Sequence, residues 1–356
     1  MARWRLRLPL IDKLLASLSP DIGIDLGTAQ CLVYVRGQGI VITEPSVVAI
    51  NQRTGQVLAI GSEARKMVGR TPSHIVAVKP LVDGVVSDFE VTEAMLRHFI
   101  ARVQKLKYSL IPRPRIIIGI PYSVTEVERR AVEEAAINAG ARQVFLIEEP
   151  LAAAIGARLP VQEPAGNLIV DIGGGTTEVA IISLGGIVTS RSLRIAGNEL
   201  TEAIMAYVRE EHNLLIGETT AEQVKIDIGS CLPLTNKLET AVRGRDLLTG
   251  LPKEVILTDE SIRNAIRKPV SQIIEAVRST VEEAPPELVA DVMERGAVLA
   301  GGGALLRGFP ELLSQTINMR VHVADDPLTC VAQGTGIVLE DLDSLAEMLL
   351  PGQFNT

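Results

Sequence analysis

Apolar residues in this chain gather in short runs broken by glycine turns. Two of those stretches repeat one another. Asp21-Ile22-Gly23-Ile24-Asp25-Leu26-Gly27-Thr28 leads into Cys31-Leu32-Val33-Tyr34-Val35, and Asn167-Leu168-Ile169-Val170-Asp171-Ile172-Gly173-Gly174-Gly175-Thr176-Thr177 leads into Val179-Ala180-Ile181-Ile182. Each predicts strand, tight glycine turn, strand, with an aspartate where the first strand ends. The copies lie roughly 150 residues apart, about one domain length. Each is followed later by strand, turn and helix. The first such unit is Ile116-Ile117-Ile118-Gly119-Ile120-Pro121 and a helix opened by a Thr125/Glu128 capping box and closed at Gly140. The second is Val298-Leu299-Ala300-Gly301-Gly302-Gly303 and a helix expected from about Ala304 to Gln315. Continuous runs such as Ile116 to Ile118 suit strands buried on both faces. The pattern predicts two similarly built α/β domains facing each other across a cleft.

The repeated turns carry chemistry. Glycine at a hairpin tip removes the Cβ, so consecutive backbone N–H groups can close around a phosphate, with threonine hydroxyls adding donors. A carboxylate at the strand end would repel phosphate directly but can hold a hydrated Mg²⁺ that bridges phosphate oxygens. One glycine turn is common; two, each with its own aspartate, are far more specific. The two common nucleotide motifs, G-x-x-x-x-G-K-[ST] and a helix-opening G-x-G-x-x-G, are absent.

Three further segments fit a nucleotide cleft. Leu146-Ile147-Glu148-Glu149-Pro150-Leu151-Ala152-Ala153-Ala154-Ile155-Gly156 places two acids at the start of an alanine-rich helix, with Pro150 expected at its first position. Such a carboxylate can orient water near a γ-phosphate or simply cap the helix dipole. Gly301-Gly302-Gly303-Ala304 lets a flat ring approach backbone, or serves tight packing of helix on strand. Glu222 and Lys225, spaced i,i+3 on a helix expected over Thr220 to Ile228, form a surface ion pair or meet ribose hydroxyls.

Composition narrows the classes. With 356 residues, 47% hydrophobic and 22% charged, the chain is not globally disordered, and its length suggests two domains or three. Only ten residues are aromatic (one Trp, four Tyr, five Phe), and the net charge is −8, so no nucleic-acid partner is expected. Cys31, Cys231 and Cys330, and the four histidines, are scattered, which argues against disulfides and zinc and fits a reducing, cytoplasmic compartment. No run of 18 uncharged apolar residues exists to span a bilayer. The start of the chain differs from the rest. Arg3, Arg5, Arg7 and Lys13 stand against one acid, Asp12, with Trp4, Leu6, Leu8, Ile11, Leu14, Leu15 and Leu18 among them. Lacking a continuous apolar core and a small-residue cleavage site, this is no signal peptide. A basic, tryptophan-bearing amphipathic segment suits the membrane interface, with arginines on anionic headgroups and leucines in the acyl boundary.

In order, the first hairpin, the Glu-Glu-Pro helix, the second hairpin, the Glu222/Lys225 helix and the glycine triplet resemble the actin-like ATPase superfamily. Asp25-Leu26-Gly27-Thr28-Ala29, Glu44-Pro45-Ser46-Val47-Val48-Ala49, Gly69-Arg70-Thr71-Pro72, Glu148-Glu149-Pro150-Leu151-Ala152-Ala153-Ala154 and Asp171-Ile172-Gly173-Gly174-Gly175-Thr176-Thr177-Glu178-Val179 are similar to the MreB/Mbl family of bacterial actins, as is Gly301-Gly302-Gly303-Ala304-Leu305-Leu306. The resemblance covers roughly residues 21–345. It implies an actin-like, ribonuclease-H-like fold, with domain I over 21–160 plus 326–356 (small subdomain about 45–77) and domain II over 161–325 (small subdomain about 197–260), after a membrane-binding segment at 1–20.

It also implies a site. Asp25 and Asp171 would organise Mg²⁺ through water. Glu149, Asp171 and Thr177 would be catalytic, with Glu149 placing the attacking water and Glu148 as the alternative. Gly27, Thr28, Ala29, Gln30, Gly173, Gly174, Gly175 and Thr176 would bind the phosphates of ATP or ADP, Glu222 and Lys225 the ribose, and Gly301, Gly302, Gly303 and Ala304 the adenine. Where the family usually has Asn-Thr, this chain has Gln30-Cys31, which alters the first hairpin. The resemblance further implies an ATP-dependent homopolymer of paired protofilaments, peripheral on the inner face of the plasma membrane. That polymer would bind anionic lipids and the membrane proteins of cell elongation and wall synthesis, and so set rod shape. Leu110 and Ile111 would form a second membrane contact. The competing readings are a plasmid-segregating actin, a sugar or acid kinase, and a heat-shock-type chaperone ATPase, which would need a substrate domain beyond Thr356.

Overall fold

The computed structural model describes residues 20–107 and 113–350. The residues expected at a membrane, Trp4, Leu6, Leu8, Ile11, Leu14, Leu15, Leu110 and Ile111, lie outside the described residues. Among the described residues no helix is long and apolar enough to cross a membrane.

Both expected glycine hairpins form, and each begins a five-stranded sheet. The first half contains β1 (Ile22–Leu26), β2 (Gln30–Val35) and β3 (Gly39–Pro45), a small sheet of β4 (Val48–Asn51), β5 (Val57–Ile60) and β6 (Ile75–Val78), and a short hairpin of β7 (Leu81–Val82) and β8 (Val85–Val86). After the helix Phe89–Lys107 come β9 (Arg115–Ile120), the helix Glu126–Asn138, β10 (Gln143–Glu148) and the helix Glu149–Gly156. The second half contains β11 (Asn167–Ile172), β12 (Thr177–Ser183), β13 (Gly186–Leu193), the helices Gly197–His212 and Glu218–Ile228, and a small sheet of β14 (Leu214–Leu215), β15 (Glu239–Asp246) and β16 (Pro252–Thr258). The helices Asp259–Glu283 and Pro286–Arg295 lead to β17 (Ala297–Ala300), a 3₁₀ turn at Gly302–Leu305, the helix Phe309–Ile317, β18 (Val321–Val323) and the helix Cys330–Glu340.

The two large sheets share one topology. The first runs β10-β9-β1-β2-β3 and the second β18-β17-β11-β12-β13. In each, an antiparallel three-strand meander meets two parallel strands, and the parallel partner of the first strand (β9 or β17) ends beside the aspartate. Asp25 pairs with Gly119, and Asp171 with Ala300. The Thr125 hydroxyl accepts from the Glu128 amide and the Glu128 carboxylate accepts from the Thr125 amide, so the expected capping box is present. The helix expected from about Ala304 to Gln315 is instead a 3₁₀ turn, a break at Gly308 (φ 75°), and an α-helix from Phe309 with Pro310 in its first turn. Gly308 takes the left-handed region where a side chain would strain, and Pro310 fits a first turn because no N–H is needed there.

Among the described residues there are three large buried clusters, with a small fourth at Val47, Ala49 and Ala64. One packs helices on the outer face of the first sheet and another does so on the second. The third lies between the sheets, where Ile117, Ile169, Ala180 and Ala300 enclose the helices Glu149–Gly156 and Cys330–Glu340. These two helices touch backbone to backbone. A Cβ built on Gly334 would stand 1.9 Å from the Ala152 carbonyl oxygen, and one on Gly156 would stand 1.8 Å from that of Cys330. Ordinary helix pairs sit 8–10 Å apart, so a contact this close needs glycine on one side at each crossing point. Gly334→Ala should therefore force the helices apart and destabilise the fold by roughly 2–3 kcal/mol. The check is thermal unfolding, and an unchanged midpoint would contradict this packing.

Candidate functional site

Between the sheets, above the helix pair, opens a cleft of about 570 Å³. Its walls include Asp25, Thr28, Gln30, Glu149, Asp171 and the hairpin glycines. The hairpin tips meet there. A Cβ on Gly174 would lie 2.5 Å from the Ala29 Cβ, and one on Gly175 would lie 2.8 Å from the Thr28 hydroxyl. Any residue larger than glycine at these two positions would wedge the halves apart, which is a sharper reason for glycine than a turn alone.

Each tip is fixed from behind. The Ser46 hydroxyl donates to the Gly27 carbonyl at 2.5 Å and the Ser46 amide donates to Ala29 O at 3.1 Å. In the second hairpin Gly173 N–H closes on Thr176 O at 2.9 Å, while the amides of Gly197 and Asn198 donate to the carbonyls of Gly173 and Gly174. Tying these carbonyls back removes negative dipole ends that would repel a phosphate. A third element enters here that the sequence pattern did not flag. The turn Asp83-Gly84 (φ 50° and 75°) joins β7 to β8, and the Gly84 amide donates to Thr28 Oγ1 at 2.9 Å. Thr28 thus accepts from protein and keeps its own proton to donate into the cleft.

Not every expected residue reaches the cleft. Thr176 lines it, but Thr177 does not. Thr177 is fully buried and donates its hydroxyl to Ile195 O at 2.7 Å. It pairs with Ile172, a core residue, and directly opposite residues share a face, so Thr177 points into the second core. The structure thus places Thr176, and not the expected catalytic Thr177, at the cleft. Ala304 is likewise buried in that core and does not line the cleft. Of the two acids at the helix start only Glu149 lines the cleft; Glu148 is the N-cap, and Pro150 follows Glu149 at the second helical position rather than the first. Gln30 lines the cleft, while Cys31 is buried in the first core, so of the two departures only Gln30 faces the cleft.

The glycine triplet divides its labour. Gly301 has φ 76°, and a Cβ on it would meet Ile172 O and Asp171 Oδ1; a Cβ on Gly303 would strike the Ile172 side chain. Gly302 meets only Leu328 Cδ2 at 3.4 Å and forms the open floor. Lys225 is also more committed than an exposed ion pair. Its ammonium donates to Gly197 O at 2.8 Å and Thr201 Oγ1 at 3.1 Å and stands 2.6 Å from Glu222 Oε2 as an ion pair. It braces Glu222 and the base of the second hairpin. The Glu222 contacts with Lys225 and Thr201 all fall on Oε2, and the residue lines the cleft.

The electrostatics of the floor are one-sided. Burial, then the neighbouring Asp171, pushes the Asp25 carboxyl up to about 8, and burial pushes Asp171 to about 7. Glu149 is raised well above its usual range by burial and by Glu178, Asp25 and Asp171. No basic side chain is among the groups acting on these three carboxyls. Buried like charges of this kind call for a cation or for protons. Among the described residues no cluster of three or more carboxylates, imidazoles or thiols could hold a metal ion directly. Two hard oxygen donors on facing strand ends nonetheless fit a hydrated Mg²⁺, which keeps most of its water and takes one or two carboxylates.

Comparison with known proteins now decides the family. The family model described as MreB/Mbl protein matches residues 19–347. The chain belongs to the MreB/Mbl family. It is 52% identical over 338 residues to the cell shape-determining protein MreB of Escherichia coli K12, covering 94% of this chain and 97% of that protein. It is 48% identical over 330 residues to the cell shape-determining protein Mbl of Bacillus subtilis strain 168, covering 93% and 98%. Crystal structures of MreB5 of Spiroplasma citri bound to ADP and to AMPPNP superpose with a TM-score of 0.87 at 41% identity, over 92% of this chain and 98% of that one. The MamK double helical filament, at 24% identity and TM-score 0.76, shares the fold. The actin-like α/β architecture is thereby shown, and this MreB/Mbl chain carries its hairpin aspartates where the two sheets converge.

Carboxyls that hold protons more tightly folded than unfolded make the folded state bind protons. Ligand-free stability is then greatest below the ordinary carboxylate range near pH 4 and declines as pH rises through 7 and 8. The thermal midpoint of the ligand-free chain should fall between pH 5 and pH 8, and Asp25→Asn should flatten that fall and stabilise the chain at pH 8. A steeper fall in the variant would show that Asp25 does not carry the buried charge.

Proposed function

We propose that this MreB/Mbl chain is a cytoskeletal ATPase that polymerises with ATP into membrane-associated filaments and determines rod shape by organising peptidoglycan synthesis. The observation that carries the reading is the contact of the two glycine hairpins, each with its own aspartate, over one cleft. Nucleotide-bound MreB5 supports the ligand class, and the shape-determining names of the relatives support the cellular role.

ATP would lie with its polyphosphate gripped by amides of both hairpins and by the hydroxyls of Thr28 and Thr176. Its ribose would meet Glu222, and its adenine would lie over Gly302. Asp25 and Asp171 would hold a hydrated Mg²⁺, which supplies charge neutralisation for the transferring phosphoryl group. Glu149, ionised in that environment, would accept a hydrogen bond from the attacking water and point its oxygen at the γ-phosphorus. The same reading places the boundaries of domain I at 21–160 plus 326–356 and of domain II at 161–325. It also places the polymer on the inner face of the plasma membrane, with residues 1–20 on anionic lipid and wall-synthesis membrane proteins as partners.

Glu149→Ala should slow ATP hydrolysis roughly a hundredfold or more while sparing nucleotide binding; unchanged turnover would remove Glu149 from the mechanism. Asp171→Ala should weaken Mg²⁺-nucleotide affinity in titration calorimetry. Sedimentation with ATP should pellet the parent chain as filaments, and a soluble monomer that phosphorylates a sugar or acid would favour a kinase instead. Deleting residues 1–19 should reduce co-sedimentation with anionic liposomes and leave ATPase activity intact. Equal liposome binding by the truncated chain would refute the anchor.

A further inference from the structure

Glu178 is a buried carboxylate beside the cleft that the reaction above leaves without a task. It stands on β12 directly across from Asp171, so the two side chains share the cleft-directed face of the second sheet. Only 1% of it is exposed. Ser192, its partner on β13, donates a hydroxyl hydrogen bond to Oε1 at 2.6 Å. Oε2 is buried and has no partner that meets hydrogen-bond geometry. A buried oxygen without a donor is costly, and more so when ionised.

The donor that faces it comes from the other half of the molecule. Burial pushes the Glu178 carboxyl up to about 7, and the backbone amide of Tyr122 is close enough to oppose that push. Tyr122 follows β9 of the first sheet, and the neighbouring contacts agree with this closeness. A Cβ on Gly84 would touch both Pro121 of the first half and Thr176 of the second, so the loop after β9 and the start of β12 already adjoin. That loop also leads to Glu149. Ile120, two residues before Tyr122, pairs with Glu148 on β10, and a Cβ on Gly119 would stand 3.5 Å from Glu149 Cγ.

We propose that Tyr122 N–H and Glu178 Oε2 form a hydrogen bond across the two halves when nucleotide draws them together, making Glu178 a positioning residue that holds Glu149 in register with the second hairpin. The inference rests on the nucleotide reading above. The bond satisfies an acceptor that is orphaned otherwise, and so it rewards the closed arrangement specifically. It also ties the strand end that supports Glu149 to the strand that carries Thr176 and faces Asp171.

The test is hydrogen exchange at the Tyr122 amide, read by mass spectrometry of peptides overlapping at that residue, with and without Mg²⁺-AMPPNP. In the parent chain nucleotide should slow this exchange by roughly tenfold or more, the effect of one hydrogen bond to a charged group. Glu178→Met, of similar length but without an acceptor there, should lose the slowing. Glu178→Gln should keep most of it, because its amide can turn oxygen to Tyr122 and NH₂ to the Ser192 hydroxyl. A merely structural role would make the two variants behave alike. Slowing that persists in Glu178→Met overturns the proposal. So does a parent chain whose melting temperature rises with nucleotide but whose Tyr122 exchange does not change, a measurement that needs no variant to fold. Absence of any nucleotide-induced rise in melting temperature would instead overturn the nucleotide reading, and the Tyr122–Glu178 bond with it.

Discussion

Two helices in backbone contact set the distance between the two sheets, and the cleft inherits its dimensions from them. Gly156 against Cys330 and Gly334 against Ala152 leave no room for side chains at the crossing. Both sheets therefore pack inward on a thin layer, which Ala152, Ala153 and Ala154 keep thin on one helix. Were that layer thicker by one branched side chain, the hairpins at its upper edge would separate. The tips instead touch through Ala29, Thr28, Gly174 and Gly175. A polyphosphate can be held by amides from both sides only when the turns come this close, so the packing of two helices governs a chemistry some distance away from them.

The same convergence concentrates negative charge. Asp25 and Asp171 end the first strand of each sheet, Glu149 starts one of the central helices, and Glu178 faces Asp171 across the hairpin. Glu149, Asp171 and Glu178 are buried and Asp25 is half-buried, and desolvation is the main cause pushing each carboxyl upward. A site of this kind is incomplete as an apolar core and incomplete as an ion-pair network. Its stability waits on something with positive charge that also tolerates oxygen ligands. Structure and binding are thus linked: a cationic ligand that relieved this crowding of carboxyls would stabilise the fold as it bound.

Much of this was legible in the sequence, for reasons particular to each segment. The hairpins were readable because Asp-x-Gly between two apolar runs is a local signal, and because it occurs twice. The capping box at Thr125 and Glu128 was readable for the same local reason. The helix after the glycine triplet was misjudged because an apolar period continues through Leu305, Leu306 and Phe309. The correcting signal was present in Gly308 followed by Pro310, an N-terminal pattern within the expected helix. Thr176 and Thr177 are adjacent and chemically identical. Only the strand register, with Thr177 opposite Ile172, separates cleft from core. Gly84, Lys79, Asn198, Glu218, Arg307 and Leu328 reach the cleft from turns and helix ends far apart in sequence, and no periodicity marks them. Lys225 looked like a surface pair because i,i+3 spacing says nothing about Gly197 and Thr201, which arrive from another helix.

The two ends of the cleft are built from different interactions, and this difference bears on how it can open. Its base is dry, close-packed and made of backbone against backbone, so sliding there would meet hard repulsion within tenths of an ångström. Its outer edge is closed by the ion pair of Lys79 with Glu218, whose side chains are 36% and 47% exposed. An exposed pair of this kind contributes about 0–1 kcal/mol and is screened by salt. A structure with a stiff base and a weakly tied lip opens by rotation about the base, not by separation of the halves. Parting Lys79 from Glu218 would thus open the lip of the cleft and leave the helix crossing at its base intact. Glu178 stands opposite Asp171 on the second sheet, so a rotation that narrowed the cleft would carry its unpartnered Oε2 toward the first half of the molecule.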